Sequence, residues 1–238
     1  MADTKITALT AVGTLATADL VACVDDTGGT PITKSATIGN FLTYTEANLS
    51  DIPAGVTVNG AGIVKFAGLE TIWIPAAAMI ASTTSGAATA QIETTTNKQN
   101  YKVFDFDATA DEFVCFDVAF PKSWNAGTVT FQVFWESAGA VTTGIAMGLQ
   151  GLFVADNIPN DTGYGTIIVV TDDAQSTAGE NYVTPVSSAV TIAGTLGDDG
   201  VVNFRLSRDV SDANDDMTQD ARVRGVKLFY TTDLGNDT

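Results

Sequence analysis

The stretch TVTFQVFWE, residues 128–136, indicates the fold class of this chain. Every second residue is large and apolar, and these residues would share one face of an extended strand: Val129, Phe131, Val133 and Trp135. An alternation of period two is typical of a β-strand that buries one face. The opposite face is only partly polar, because it carries Phe134 among polar residues. We predict a strand with Trp135 in the core and with Glu136 pointing to solvent.

Eight further stretches on either side of this strand carry β-strand patterns separated by turn residues. They are 71–74, 101–106, 112–120, 144–154, 166–171, 188–193, 201–207 and 225–231. Short, regularly spaced strands without amphipathic helices favour a sandwich or jelly roll. The predicted fold class is therefore an all-β antiparallel jelly-roll sandwich of about 8–9 strands. One helix is predicted from Ser211 to Ala221, with Ser211 or Asp212 as its N-cap.

The first 48 residues predict a small attachment segment. An apolar run from Leu20 to Val24 is followed by the turn cluster DDTGG and by a second run at 31–36, which predicts a hairpin. A short helix is predicted from Ile38 to Tyr44. This segment is too small to be stable alone, so it should dock on the rest of the chain or on a partner. We predict three parts: the segment 1–48, an extended connector 49–69 and a jelly-roll domain 70–238.

The composition excludes several classes of function. The formal charge is −17, from 28 acidic and 11 basic residues, and there is no histidine. This field repels phosphate backbones and anionic lipids, so neither nucleic acid nor a membrane is an expected partner. Without histidine no serine or cysteine triad can form, and no cofactor-binding motif is present. We expect no enzyme and no cofactor, although 28 carboxylates leave a carbohydrate-active enzyme as an alternative.

One acidic stretch resembles the start of a calcium-binding loop. Asp212, Asn214 and Asp216 occupy the first, third and fifth positions of an EF-hand-like loop. The sixth position is Met217 and the twelfth is Val223, so the usual glycine and glutamate are missing. We favour no metal, and instead a charged loop paired with nearby arginines, because five of the eleven basic residues lie between 205 and 227. These arginines are Arg205, Arg208, Arg222 and Arg224.

Two aromatic residues are candidates for contact with a sugar or with a neighbouring subunit. Trp124 lies in the predicted loop PKSWN, and Tyr164 lies in the turn GYG. An indole or phenol on a loop can stack on a partner while its polar group makes a hydrogen bond. Core packing under the loop is the favoured interpretation of Trp124.

The N-terminal residues resemble a short leader found on many tailed-bacteriophage fibre and virion proteins. The resemblance lies in ITAL (6–9), DLVACVDD (19–26), TKSATI (33–38) and FL (41–42). In such proteins the leader tethers the chain to the particle. The resemblance implies attachment to the major capsid protein or another virion protein through seven apolar residues: Ile6, Leu9, Leu20, Val24, Ile32, Phe41 and Leu42.

The remainder looks like a jelly-roll domain of phage and marine-virus structural proteins. The resemblance lies in WIPAAAM (73–79), FDFD (104–107), FPKSW (120–124), and the stretch from Arg208-Asp209 through Asp220-Ala221 to Phe229-Tyr230. It implies a trimeric module, similar to tumour necrosis factor, on the outside of a virion. A three-fold axis could bury partly apolar faces, which we assign to Phe134 and to Ile145, Met147 and Leu149.

The leading hypothesis is a capsid decoration protein or short head fibre. It would be a homotrimer on the exterior of the virion, made in the host cytoplasm and anchored by its N-terminal segment. The alternative is a tail-fibre adhesin that binds a host surface glycan through loops carrying Trp124 or Tyr164.

Overall fold

The structure is a computed structural model that describes the backbone of residues 20–25, 32–37, 56–58 and 64–233, and the side chains of residues 67–233. The chain divides into two compact units, Met1–Val56 and Thr57–Thr238. In the described residues the regular structure is β apart from a 3-10 turn at Ala76–Ala78. The strands are β1 Leu20–Asp25, β2 Ile32–Thr37, β3 Val56–Val58, β4 Val64–Phe66, β5 Gly68–Pro75, β6 Ile80–Ala81, β7 Ala88–Glu93, β8 Asn100–Phe106, β9 Glu112–Val118, β10 Trp124–Ser137, β11 Gly144–Ala155, β12 Ile168–Asp173, β13 Tyr182–Val183, β14 Gly200–Arg208 and β15 Ala221–Thr232.

In the first unit β1 and β2 form an antiparallel pair, with Leu20 opposite Thr37. This confirms the predicted hairpin. The short helix predicted at 38–44 lies outside the described residues, as do Ile6, Leu9, Phe41 and Leu42. The side chains of Leu20, Val24 and Ile32 are not described either. Attachment through these seven residues stays a prediction.

The two large antiparallel sheets of the second unit face each other across one apolar core. The first sheet has the order β13-β10-β15-β8-β7, with β5 also paired to β15, and the second has the order β12-β11-β14-β9-β6. Large side chains from both sheets, such as Trp135 and Phe204, belong to the same buried cluster. The unit is a jelly-roll sandwich, which confirms the predicted fold class. Its two sheets hold six and five strands. This is more than the predicted 8–9, since the sequence patterns missed the short strands β6, β7 and β13.

The strand that decided the fold class behaves as its alternation predicts. Val129, Phe131, Val133 and Trp135 are all buried in the core. Trp135 also has a polar partner, since its Nε1 donates a hydrogen bond to Oδ2 of Asp172 at 2.8 Å.

Asp172 carries an electrostatic cost in the folded state. Burial raises the pKa of its carboxyl, and the repulsion from Asp173 adds to the rise, while the hydrogen bond from Trp135 opposes it. A raised folded-state pKa means that the native protein holds the proton more tightly than the unfolded chain does. Stability is therefore lost as pH rises from the usual Asp pKa of 3.8 through the raised value.

Replacing Asp172 by asparagine should raise the stability at neutral pH, because the amide oxygen still accepts from Trp135 and no charge is desolvated. Urea midpoints measured from pH 7 down to pH 4 test this. The advantage of the variant should shrink as the pH falls toward 3.8. The control is Asp117→Asn at an exposed position of β9, for which we expect no comparable gain. A variant that is less stable than wild type at pH 7 contradicts the prediction.

Three of the residues that the sequence analysis assigned to a trimer interface lie in the core instead. Ile145, Met147 and Leu149 are fully buried in the core of the single chain, so that assignment was wrong. The opposite face of β11 is covered as well, because its residues Ala146, Gln150 and Leu152 are also buried. An apolar run buried on both faces cannot be distinguished from an exposed apolar face by its pattern alone.

The stretch 188–193, predicted as a strand, forms only isolated bridges. Val190 pairs with Val129 of β10, and Ala193 pairs with Leu152 of β11. The segment therefore crosses from one sheet to the other. Val190 and Ile192 alternate because both are buried in the core, and no ladder of hydrogen bonds accompanies that alternation.

The helix predicted at Ser211–Ala221 is absent, and this part of the chain is a series of turns. Its acidic side chains bind backbone N–H groups instead. Asp209 accepts from Ser211, and Asp212 accepts from Asn214. Asp215 and Asp216 reach β11, where they accept from the N–H groups of Ala146 and Gly144. Aspartate side chains that bond to the backbone in this way compete with helix formation.

The same loop folds around the buried guanidinium of Arg208, whose exposed fraction is 0%. Its Nη2 lies 2.7 Å from Oδ1 of Asp215. The same Nη2 donates to the carbonyl of Met217 at 2.7 Å, and Nη1 donates to the carbonyl of Gln219 at 2.9 Å. The predicted pairing of the acidic loop with arginines is therefore right for Arg208.

Candidate ligand-binding groove

The outer face of the first sheet brings together side chains that are far apart in sequence. Strand β15 lies between β5 and β10, with Lys227 opposite Trp73 on one side and Gln132 on the other. In the next row Gly225 lies opposite Pro75 and Phe134. The neighbouring residues Ile74, Val226 and Val133 are buried in the core. Trp73, Lys227 and Phe134 therefore project from the outer face.

These side chains border an open groove of about 410 Å³, lined by Trp73, Phe134, Asn181, Arg224 and Lys227. Its volume is in the range of small-molecule sites, about 300–1,000 Å³. Trp73 remains 45% exposed. A large aromatic ring left half exposed in a groove is available to a ligand.

Trp73 and Phe134 form an aromatic platform with a defined geometry. Their ring centroids are 5.0 Å apart, and the planes meet at 78°. Gly225 makes this arrangement possible, because a Cβ at this position would lie 2.5 Å from Cη2 of Trp73 and 2.5 Å from the carbonyl oxygen of Ile74. The indole can lie across β15 only where that strand has no side chain.

The two cations of the groove are held over aromatic rings. The Nζ of Lys227 lies 5.4 Å from the centroid of Phe134. The guanidinium carbon of Arg224 lies 4.1 Å from the centroid of Tyr101, and its Nη1 donates to Oδ1 of Asn181 at 3.3 Å. Attraction between a cation and the face of a ring restricts both side chains.

A β-bulge sets the position of Arg224. Phe134 pairs with Gly225 and Trp135 pairs with Val223, so Arg224 is the extra residue of β15. A bulge re-aims the side chain that it contains and increases the local twist. Here it places a guanidinium at the end of the aromatic platform.

A second polar cluster lies on the same face beside the groove. Glu136 is only 1% exposed and accepts a hydrogen bond of 2.8 Å from the hydroxyl of Tyr101. Arg222 lies 3.9 Å from Glu136 and 3.4 Å from Asp105. The prediction that Glu136 points to solvent was therefore wrong, because Tyr101 and Arg222 cover it. Burial is the main cause that raises the pKa of Tyr101, and the hydrogen bond to Glu136 adds to it.

These carboxylates do not equip the groove for acid–base catalysis. Burial raises the pKa of Asp105, and Arg222 opposes the rise. Glycoside hydrolysis generally needs two carboxyl groups that flank a bound sugar. The residues lining the groove are aromatic, amide and cationic. The arrangement can hold a ligand, and the lining supplies no acid–base pair.

The structure places Trp124 in the core. It is 6% exposed and stacks on Phe120, with centroids 4.3 Å apart and planes at 26°. It lies at the start of β10 rather than in a loop. Core packing, the favoured interpretation, describes this position, and the ring has little free surface for a sugar.

Tyr164 lies in the irregular segment before β12 and contacts Arg205 of the second sheet, away from the groove. It is half-buried, and the guanidinium carbon of Arg205 sits 4.9 Å from its ring and 4.7 Å from the ring of Phe113. The structure therefore does not bring Trp124 and Tyr164 together. Glycan or subunit contact through Tyr164 stays a prediction.

The three calcium candidates already have protein partners. Oδ1 of Asp212 accepts from the N–H and the side-chain amide of Asn214, both at 2.9 Å, and Oδ1 of Asp216 accepts from Gly144 at 2.7 Å. Over the described side chains, no group of three or more acidic or cysteine residues is arranged to hold a metal ion. The same residues include no helix with the length and apolar character needed to cross a membrane.

Comparisons with known proteins do not assign the chain to a family. No protein-family model matches it, and no curated protein matches it. Among solved structures, the CBM36-1 domain of a multidomain xylanase from the hindgut metagenome of Trinervitermes trinervoides aligns at 12% identity and a TM-score of 0.36, over 67% of this chain and 96% of that one. A family 35 carbohydrate-binding module from Clostridium thermocellum aligns at 9% identity and a TM-score of 0.38, over 67% and 97%.

An enzyme also appears among the similar structures. The isomalto-dextranase of Arthrobacter globiformis T6, solved with panose, aligns at 14% identity and a TM-score of 0.38, over 66% of this chain and 23% of the enzyme. At such values a shared ligand does not follow from the alignments. The function has to be inferred from this chain's own residues.

Proposed function

We propose that the sandwich is a non-catalytic glycan-binding module whose site is the groove of Trp73 and Phe134. The half-exposed indole of Trp73, fixed against Phe134, is the observation that carries this proposal. One face of a sugar ring presents C–H groups and its rim presents hydroxyls. It therefore suits a flat aromatic partner bordered by a few polar groups. Asn181, Arg224 and Lys227 supply those groups at the border of the platform.

An array of immobilised glycans tests the proposal. The full chain should bind a defined subset of saccharides, and the same saccharides in solution should compete. Affinities in the micromolar to millimolar range are expected for a shallow open groove of this kind. No binding to any saccharide on the array, and none in solution at millimolar concentration, contradicts it.

The setting that we propose is the exterior of a virion. The support is the resemblance of residues 6–42 to phage leaders, together with the hairpin of β1 and β2. In this setting the protein is made in the host cytoplasm and attached to the major capsid protein or another virion protein, and the sandwich projects outward. A decoration protein or head fibre and a tail-fibre adhesin both use the sandwich in this way. The homotrimer belongs to the same proposal, with an interface that excludes the core residues Ile145, Met147 and Leu149 and also Phe134, which lines the groove.

Deleting residues 1–48 should abolish incorporation into particles while the sandwich stays folded. The reason is that the paired strands of the sandwich lie between residues 68 and 232. Western blots of purified particles measure incorporation, and a circular dichroism melt of the truncated protein is the control for folding. Particles that carry the truncated protein at the wild-type level contradict the proposed anchor.

A further inference from the structure

We propose that the groove selects acidic saccharides, and that the sugar carboxylate binds to Lys227 and Arg224. This inference rests on the proposed glycan-binding function. It adds the chemical class of the ligand, which the aromatic platform alone does not specify.

The first observation is the local charge. The chain has a formal charge of −17, yet two of the five residues lining the groove are cations and none is a carboxylate. Of the six other cations in the described part, three form ion pairs: Arg208 with Asp215, Arg222 with Asp105, and Lys98 with Glu93. Within the same described residues, Lys227 and Arg224 make no ion pair. Two unpaired cations that line one groove of an acidic protein suit an anionic ligand.

The second observation is that the cations are pre-organised. Lys227 lies over the rings of Phe134 and Phe229, at 5.4 and 5.9 Å. Arg224 is held by Tyr101 and Asn181. Side chains that are already restricted lose less entropy on binding. The planar guanidinium also presents paired N–H groups that match the two oxygens of a carboxylate.

The overall charge distinguishes between anionic ligands. A nucleic acid is a dense polyanion, and most of its phosphates would meet the acidic surface around the groove. An acidic saccharide can present a single carboxylate, beside C–H faces that match Trp73. At physiological ionic strength screening acts over about 8 Å, so one carboxylate in contact with two cations is attracted while more distant acids have little effect. The observations therefore favour an acidic sugar.

Titration calorimetry with matched pairs of saccharides tests the inference. One pair is tetragalacturonate and its methyl ester, and a second pair is sialyllactose and lactose. Both members of each pair present sugar C–H faces. In the first pair the ester removes the carboxylate charges, and in the second pair lactose lacks the acidic sugar residue. We expect at least one acidic member to bind about tenfold or more tightly than its neutral partner, and to weaken as sodium chloride is raised.

Three variants locate the contact on the protein. Lys227→Gln and Arg224→Gln should each weaken binding of the acidic saccharide about tenfold. The loss for the neutral partner should be clearly smaller, because glutamine still offers a hydrogen bond to a sugar hydroxyl but no positive charge. The matched control is Lys102→Gln, an exposed cation of β8 that does not line the groove. It should bind as wild type does. Melting temperatures confirm that each variant is folded.

The outcomes separate this inference from the proposed function. If both members of each pair bind equally and Trp73→Ala abolishes both, the groove binds sugars and the inference is overturned. If no saccharide binds, both the inference and the proposed function are overturned. If the acidic sugar binds but Lys102→Gln weakens it as much as Lys227→Gln does, the attraction is non-specific and the inference is overturned.

Discussion

Replacing Arg208 by methionine is expected to lower the free energy of unfolding by about 3–5 kcal/mol, the range for breaking a buried ion pair. The guanidinium is fully buried, and it binds the carboxylate of Asp215, whose side chain is 1% exposed. Methionine has a similar length but no donors. The change would leave a buried carboxylate without its countercharge, and the carbonyls of Met217 and Gln219 without their donor. Urea unfolding at pH 7 measures the loss.

Lys98→Met is the matched control for this prediction. Lys98 pairs with Glu93 at 3.1 Å, but both side chains are largely exposed. An exposed pair contributes about 0–1 kcal/mol, because water and salt screen it. A loss in Arg208→Met no larger than that in Lys98→Met would show that the loop 209–220 does not depend on the buried guanidinium.

Replacing Trp73 by alanine is expected to weaken glycan binding at least tenfold, which corresponds to about 1.4 kcal/mol or more. The indole supplies most of the exposed aromatic surface of the groove and lies against Phe134. Calorimetry with a saccharide identified on the array measures the loss. Leu69→Ala is the control, because Leu69 lies on the same face of β5, is 71% exposed and does not line the groove. Equal binding by Trp73→Ala and wild type would contradict the assigned site.

Gly225→Ala tests whether binding depends on where the indole of Trp73 lies, because this variant keeps the indole but displaces it. The new Cβ would lie 2.5 Å from Cη2 of Trp73 and from the carbonyl of Ile74, so the ring and the strand must shift. We expect weaker binding, with a stability cost of about 1–3 kcal/mol from overpacking. Gly163→Ala is the control, because nothing lies within 4 Å of its added Cβ. Unchanged binding by Gly225→Ala would show that recognition does not need the indole across β15.

The fold class could be predicted because it depends on alternation within single strands. In β10 the core face from Val129 to Trp135 follows the sequence pattern, and the same regularity identified β14 and β15. The prediction failed where side chains compete with the backbone. Ser211–Ala221 has a helix-like pattern of caps and charges, but its aspartates bind backbone N–H groups and the guanidinium of Arg208. Such long-range partners are not visible in a local pattern.

The candidate site was mostly missed because it depends on the pairing of distant strands. Trp73 meets Phe134 only because β5 and β10 both lie beside β15. Two local signals were present in the sequence: Phe134 on an otherwise polar face, and Gly225 inside a strand, where glycine often marks a bulge or a close approach. Trp124 and Tyr164 were chosen for their predicted turns. Their burial and their contacts with other aromatic and cationic groups could not be read from those turns.

The most direct test of the central claim is the indole region of a ¹H–¹⁵N correlation spectrum during titration with a bound saccharide. The chain has three tryptophans, of which Trp124 and Trp135 are buried and Trp73 is half exposed. We predict a saturable shift of the Nε1–H signal of Trp73, with the other two nearly unchanged. A saccharide that binds without moving the Trp73 signal, or that moves only the signals of Trp124 or Trp135, would contradict the assignment of the glycan site to this groove.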